Sequence, residues 1–463
     1  MSQFLDGVSL EQTRTALMQC GMDIVRRAHG ATPTLQASAR AAMVSMDVAR
    51  ELFTTDEEFT EALISEARLT FLATMDKSME ALPADASFED RVTTIGRGAI
   101  DFAIQNPSAF ALLTYCSEAM DMVEDFDADF TTLDTPLPFR MLLEEVRAEI
   151  IRLDGPRDVW LLTTRAMALF AAIHGCAHLC VFGTLRNFSP VVLQHRIKGL
   201  IEHALGGVGD SLRTGEGLRL EPHHFVARHH ISAQPDSRDL PKDTRENKRK
   251  ALYQAGVEIV MEQGFPALTP HAAAERAGLK PAELQHLLPP HTPLSKEMEE
   301  SLNQGAESVT ELQLAMLPDD TLSMYAGKSV GVALTGLAMM NPEAFDAFIT
   351  IASQSVVPFN FDDTSASDMG EAHRTLIAHT RACIIEGGGE HDPWLLFNNA
   401  LNVWTLNHGQ GQLFSLGPMR VWPTDYKLDL MDYVLDFSLS SFIHRLDLSF
   451  PTIPVSPITR PGN

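Results

Sequence analysis

Apolar residues recur along the chain at the three- and four-residue spacing of amphipathic helices, in segments punctuated by Gly and Pro. In RENKRKALYQAGVEIVMEQG, residues 245–264, Ala251, Leu252, Ala255, Ile259 and Val260 fall on one helical face. The next stretch, LTPHAAAERAGLKPAELQHLLPPH at 268–291, predicts two short helices. Thr269 caps the first, with Pro270 at its first position, and Gly278 closes it. Lys280-Pro281-Ala282-Glu283 opens the second, so the pair has the pattern of a helix-turn-helix. LQASARAAMVSMDVARELF at 35–53 has the same pattern, with Met43 in place of the turn glycine.

That recurrence extends over the whole chain. Asn106-Pro107-Ser108-Ala109-Phe110 returns 235 residues later as Asn341-Pro342-Glu343-Ala344-Phe345. Ala16-Leu17, Gly21 and Ile24-Val25 return at the same offset as Ala251-Leu252, Gly256 and Ile259-Val260. After one deletion the offset becomes 234: Asp158-x-Trp160-Leu161-Leu162 matches Asp392-x-Trp394-Leu395-Leu396, and His174-Gly175 matches His408-Gly409. A constant register over this length identifies two tandem copies of one helical unit. The chain is therefore expected to be all-α, with a head at 9–55, a helical domain at 56–205, a linker at 206–244, a second head at 245–290 and a second helical domain at 291–450. Gly and Pro mark the linker as flexible or extended, and the Pro-rich tail at 451–463 is expected to be poorly ordered.

Ala166 to Leu185 holds no Asp, Glu, Lys or Arg over about the length of a membrane span. His174, Gly175 and His178 and the absence of a one-sided basic flank favour a helix buried in a protein seam, so no membrane partner is expected. The N-terminus has no basic stretch leading into an apolar run. Cys20, Cys116, Cys176, Cys180 and Cys383 are odd in number and scattered, which fits reduced thiols in a cytoplasmic protein.

Charge narrows the function. Against 36 Lys and Arg stand 61 Asp and Glu, for a formal net charge of −25. Residues 1–205 carry 17 basic and 29 acidic side chains, and residues 251–463 carry 10 and 25. Only 206–250, with 9 and 7, is net positive, through RDLPKDTRENKRK at the start of the second copy. Contact with nucleic acid is thus confined to a local patch. No nucleotide loop, nucleophile elbow or metalloprotease signature is present, so neither an enzyme nor a cofactor is expected.

Gly264, Thr269, Ala273-Ala274 and Ala277-Gly278-Leu279, followed by the NPxAF and W-x(13)-HG segments, resemble the TetR/AcrR family of transcriptional regulators. The later segments resemble the ligand-binding and dimerising domain of the subtype named for its Trp-His-Gly signature. The resemblance implies two such units in one chain, paired as an intramolecular pseudo-dimer through the nearly uncharged helices at 160–185 and 394–419 and those that follow at 190–205 and 424–439. It implies a ligand-responsive repressor that binds a double-stranded DNA operator and a small-molecule effector.

The DNA contacts it implies are Arg245, Lys248, Arg249, Lys250, Thr269, Lys280, Gln285 and His286 in the second head, and Arg50 in the first. In the second head Glu283 stands where a hydroxyl residue is usual and His291 replaces a customary Lys; in the first, Arg50 is flanked by Asp47 and Glu51 and Asp56 stands at the Lys position, so the first head reads as weak or silent. A ligand pocket between the middle helices would draw on Phe110, Met120, Met122, His174, Phe345, Phe348 and His408, residues that also suit plain core and helix packing. His174, Cys176, His178 and Cys180 have helical metal-ligand spacing, yet the second copy lacks the cysteines and packing is the favoured role. The acidic run at 120–130 reads as a solvated loop. The competing reading is a degenerate relative that has lost operator binding and serves as a ligand sensor or protein-interaction module.

Overall fold

The structure, a computed structural model, describes residues 9–27, 32–116, 119–220, 244–288, 293–318, 321–352, 371–390, 392–450 and 454–460. It is mostly helical. The first half runs α1 (Leu10–Arg27), α2 (Leu35–Ala41), α3 (Met46–Leu52), α4 (Asp56–Glu80), α5 (Phe88–Gln105), α6 (Pro107–Tyr115), α7 (Leu137–Arg152), α8 (Val159–Val181) and α9 (Pro190–Leu205). After α10 (Val208–Thr214), the second half runs α11 (Arg245–Gln263), α12 (Pro270–Arg276), α13 (Pro281–Leu287), α14 (Leu294–Leu314), α15 (Ser323–Met340), α16 (Pro342–Ala352), α17 (Glu371–Glu386), α18 (Pro393–Ser415) and α19 (Thr424–Arg445). The sequence offsets reappear as helix boundaries. The helices α2, α3 and α5 have partners of equal length 235 residues on, and α7 and α8 have theirs 234 residues on.

Local chemistry sets these starts. Thr34, Ser45, Thr55, Asp158, Ser189, Thr244 and Thr269 each accept a backbone N–H of the first turn, and Ser87 forms a reciprocal capping box with Asp90. Each such cap stabilises its helix by about 1 kcal/mol. The α2–α3 and α12–α13 turns share one hydrogen-bond pattern: Val44 N–H donates to Ala39 O, and Leu279 N–H to Ala274 O, both at 2.8 Å. This closure needs a left-handed residue, which is Gly278 at φ +69° in one turn and Met43 at φ +57° in the other.

The two halves meet where α8 packs against α18, with α9 and α19 alongside. Every residue of α8 from Trp160 to Cys180 is buried. This helix is long and apolar enough to cross a bilayer, but 94% of its most apolar window is covered by protein. The one charge there, Arg165, lies over the Phe437 ring and donates from Nε to Ser211 Oγ at 2.9 Å. Burial lowers its pKa to about 9. At the crossing Gly175 and Gly409 face each other, and a methyl on either would strike the partner helix at a backbone carbonyl, Thr405 O or Ala171 O.

Two expectations about connecting segments are corrected. The start of the linker is ordered as α10 and a short strand, β1 (Glu216–Leu218). The tail forms β2 (Val455–Pro457), antiparallel to β1, with Gly217 opposite Ser456. Strand pairing satisfies the backbone of both segments. Ile458 is then buried, and Tyr433 Oη donates to Thr459 O at 2.5 Å. Arg219 fastens the same region, meeting Asp436 at 2.8 Å and Asp432 at 3.1 Å beside buried Lys328. Four linker histidines, in HHFVARHH at 223–230, and His291 lie outside the described residues.

Candidate functional site

In the first half, α4, α5, α6, α7 and α8 do not close completely. They leave a cavity of about 320 Å³, at the lower end of the roughly 300–1,000 Å³ of small-molecule sites. Its walls include Phe71, Phe102, Phe110 and Phe170, and its rim is the segment 133–138 with Arg68 and Arg140. Leu413 and Pro418 reach in from the second half, so an occupant touches both copies. Arg68 lies 3.7 Å from Asp134 at the rim. His174 lies at the inner wall and shares a 2.9 Å hydrogen bond between its Nε2 and Gln412 Oε1. Burial pushes its pKa down to about 4, so it is neutral at pH 7.

The second half has a smaller cavity, about 150 Å³, at the corresponding place. Its Leu334, Leu337, Phe345, Phe348 and Trp404 stand where the first has Ala99, Phe102, Phe110, Leu113 and Phe170. Leu for Ala and Trp for Phe fill the space. Phe110 and His174 line the first cavity, and Phe345 and Phe348 line the second.

Met120, Met122 and His408 line neither cavity, which corrects their reading as ligand contacts. Met120 N–H donates to Pro418 O at 2.8 Å, and Met120 O accepts from Trp422 Nε1 at 2.6 Å. These bonds pin the segment to the second half and bury the Met120 side chain, while Met122 is half-buried against the core. The acidic run that follows is a loop whose carboxylates face outward while Val123, Phe126 and Phe130 turn inward.

His408 belongs to the seam. Its Nε2 lies 3.1 Å from His178 Nδ1, and its ring stacks on Phe345. The seam also holds residues that the sequence did not single out. Tyr115 Oη donates to Asp346 at 2.9 Å and lies 2.9 Å from His178 Nε2, all three buried. A signal existed in the repeat: Asp346 is a carboxylate where the first copy has Ala111. The His174–Gln412 and His408–His178 contacts are copies of one another, because residue 174 corresponds to 408 and residue 178 to 412. Such reciprocity, i to j and j to i, marks a pseudo-two-fold axis. Cys176 and Cys180 share a hydrogen bond that, with burial, raises the Cys176 thiol pKa. Among the described residues, no group of three or more His, Cys, Asp or Glu side chains is placed to hold a metal ion.

In the second head, the residues read as phosphate contacts already have partners. Lys248 Nζ lies 2.9 Å from Glu283 on α13, Arg249 2.9 Å from Glu297 on α14, and Lys250 3.0 Å from Glu246 one turn back. Glu283 also accepts Lys280 N–H at 2.8 Å, and these contacts hold its carboxyl below the usual range. Thr269 oxygen caps α12, accepting from Ala272 N–H. Arg245, Lys280, Gln285 and His286 are exposed, as is Arg50 on α3. The view of Lys248, Arg249 and Lys250 as freely offered cations is therefore revised: each is at least partly neutralised within the head. Asp56 has a structural task too, since its Oδ1 accepts Leu35 N–H at 2.7 Å and ties α4 to the start of α2.

No protein-family model matches the chain, and no curated protein matches it.

Proposed function

We propose that the chain is a ligand-responsive transcriptional regulator made of two TetR-like units in tandem, folded as an intramolecular pseudo-dimer. The reciprocal pair His174–Gln412 and His408–His178 carries this reading. A homodimer built on one helix would make the same contact twice, and here one chain makes both halves of it. The effector enters the larger cavity. From there α4 runs to the first head, through Asp56 and Leu35. In the second half α14 lines the smaller cavity and holds α11 through Glu297. An occupant that favours one setting of the halves shifts the spacing of the heads, to the extent of its differential affinity for the two settings. DNA is met mainly by the second head, through Arg245, Lys280, Gln285 and His286.

A second reading, a sensor without an operator, is favoured by the ion pairs that occupy Lys248, Arg249 and Lys250. Selection from a random duplex pool at low and at physiological salt separates the two. The regulator enriches one sequence and loses affinity steeply with salt. No enrichment at either salt sinks the operator and leaves the sensor.

A further inference from the structure

We propose that the first-half cavity binds a hydrophobic monocarboxylate, its carboxylate held by Arg140 and its body seated among the phenyl rings. This inference rests on the reading of that cavity as the effector site and supplies the chemical class of the effector.

Four ionisable side chains line the cavity: Arg68, Arg140, Asp134 and His174. Arg68 and Asp134 face each other and cancel. His174, engaged by Gln412, is neutral. Arg140 has no ion pair among the described residues, so the lining carries one surplus positive charge. The first turn of α7, which has no side-chain cap, starts at Pro136 and Leu137 on the same wall. Pro136 and Pro138 have no N–H, so only the amides of Leu137 and Phe139 in that turn add partial positive charge there.

The remaining surface is apolar, with Phe71, Phe102, Phe110 and Phe170 around the interior. One positive charge at one end and a phenyl-lined interior fit a single carboxylate on an apolar body. A neutral ligand leaves Arg140 unpaired, and a multiply charged one brings more anion than the lining neutralises. The smaller cavity has no charged lining, with Asn303 where the first has Arg68. The carboxylate therefore selects the first half.

The test is isothermal titration of the full chain with decanoate and 2-naphthoate, against the neutral alcohols 1-decanol and 2-naphthalenemethanol. The alkyl and aryl arms distinguish the two kinds of body. An acid is expected to bind once per chain, about 10- to 100-fold more tightly than its alcohol, the range of a charge-assisted hydrogen bond. Arg140→Leu removes that preference and Arg140→Lys keeps most of it. Ala99→Leu, which copies the side chain of Leu334 into the larger cavity, weakens acid and alcohol alike. The comparison of acid with alcohol on the unmodified chain needs no variant to fold. Equal affinity for acid and alcohol, or a preference that survives in folded Arg140→Leu, overturns the carboxylate assignment while leaving an effector site. No uptake of any probe overturns the assignment, and the duplex selection then judges the regulator reading by itself.

Discussion

Replacing Gly175 by Ala puts the seam itself to the test. The added methyl meets Thr405 O and lies 2.8 Å from the backbone N and 3.0 Å from the Cα of Gly409. The contact with Thr405 O is tighter still, and a methyl carbon rests about 3.3–3.6 Å from a carbonyl oxygen, so α8 and α18 must separate by about 1 Å. A gap of that size forfeits about a quarter to a half of the dispersion attraction between the atoms parted. The loss spreads along α8, which is buried from Trp160 to Cys180. Overpacking of this kind costs about 1–3 kcal/mol, and Ala in place of a helical Gly returns about 1 kcal/mol. The expected net loss is about 1 kcal/mol and at most about 2 kcal/mol, read as a lower urea midpoint at unchanged slope. Gly305→Ala is the control: that glycine is exposed on α14, and a methyl there meets nothing within 4 Å. It is expected to gain about 0.5–1 kcal/mol. Gly409→Ala strikes Ala171 O from the other side. One parting of the helices relieves both clashes, so the double variant costs less than the two singles together. A Gly175→Ala protein as stable as the Gly305→Ala control, or strict additivity of the pair, would refute the close crossing.

Met43→Gly is expected to raise stability by about 0.5–1 kcal/mol, because relief of left-handed strain of about 1–2 kcal/mol exceeds the extra backbone entropy of Gly; a lowered urea midpoint would contradict it. Three buried histidines are held below their ordinary pKa by burial, His174 to about 4 and His203 and His408 to about 3. The unfolded chain takes up these protons near pH 6.5 and the folded chain does not, so stability is full above about pH 6.5 and falls as pH drops toward 4. Each contributes up to about 1.4 kcal/mol per pH unit. His203→Phe is expected to flatten the slope of urea midpoint against pH, and an unchanged slope would remove His203 from the account. In the second head, Lys248→Glu and Lys280→Glu weaken duplex binding, whereas Glu283→Gln releases Lys248 and steepens the salt dependence by about one ion. Anisotropy titrations across a salt series read both, and a Glu283→Gln slope equal to the parent would mean that the pairing does not occupy Lys248.

Local chemistry made most of the helices legible in advance. Thr269 and Pro270 marked the start of α12, Gly278 its end, and the 235-residue offset carried the same boundaries to α2 and α3. Phe110, Phe345 and Phe348 were legible as inward-facing residues of the middle helices, a pattern that suits core and cavity wall alike. Met120 and His408 were misassigned for one reason: an apolar or neutral buried residue has the same sequence pattern in a cavity wall and in a seam. The sheet of β1 and β2 was hidden as well, since its strands are three residues each and lie far apart in the chain. Lys248 read as a free cation because its partner, Glu283, is 35 residues away on another helix.

The sequence by itself determined the helices, their twofold recurrence, and an acidity broken by one net-positive segment. These follow from caps, spacing and composition, which act over a few residues. The tertiary structure decided which of two copies of the same cavity stays open, since that depends on Ala99 against Leu334 and Phe170 against Trp404 at equivalent positions. It also decided that Tyr115 and Asp346, 231 residues apart, share a buried hydrogen bond. Burial and pairing belong to the space between helices, and only the packed seam of α8 and α18 fixes what that space contains.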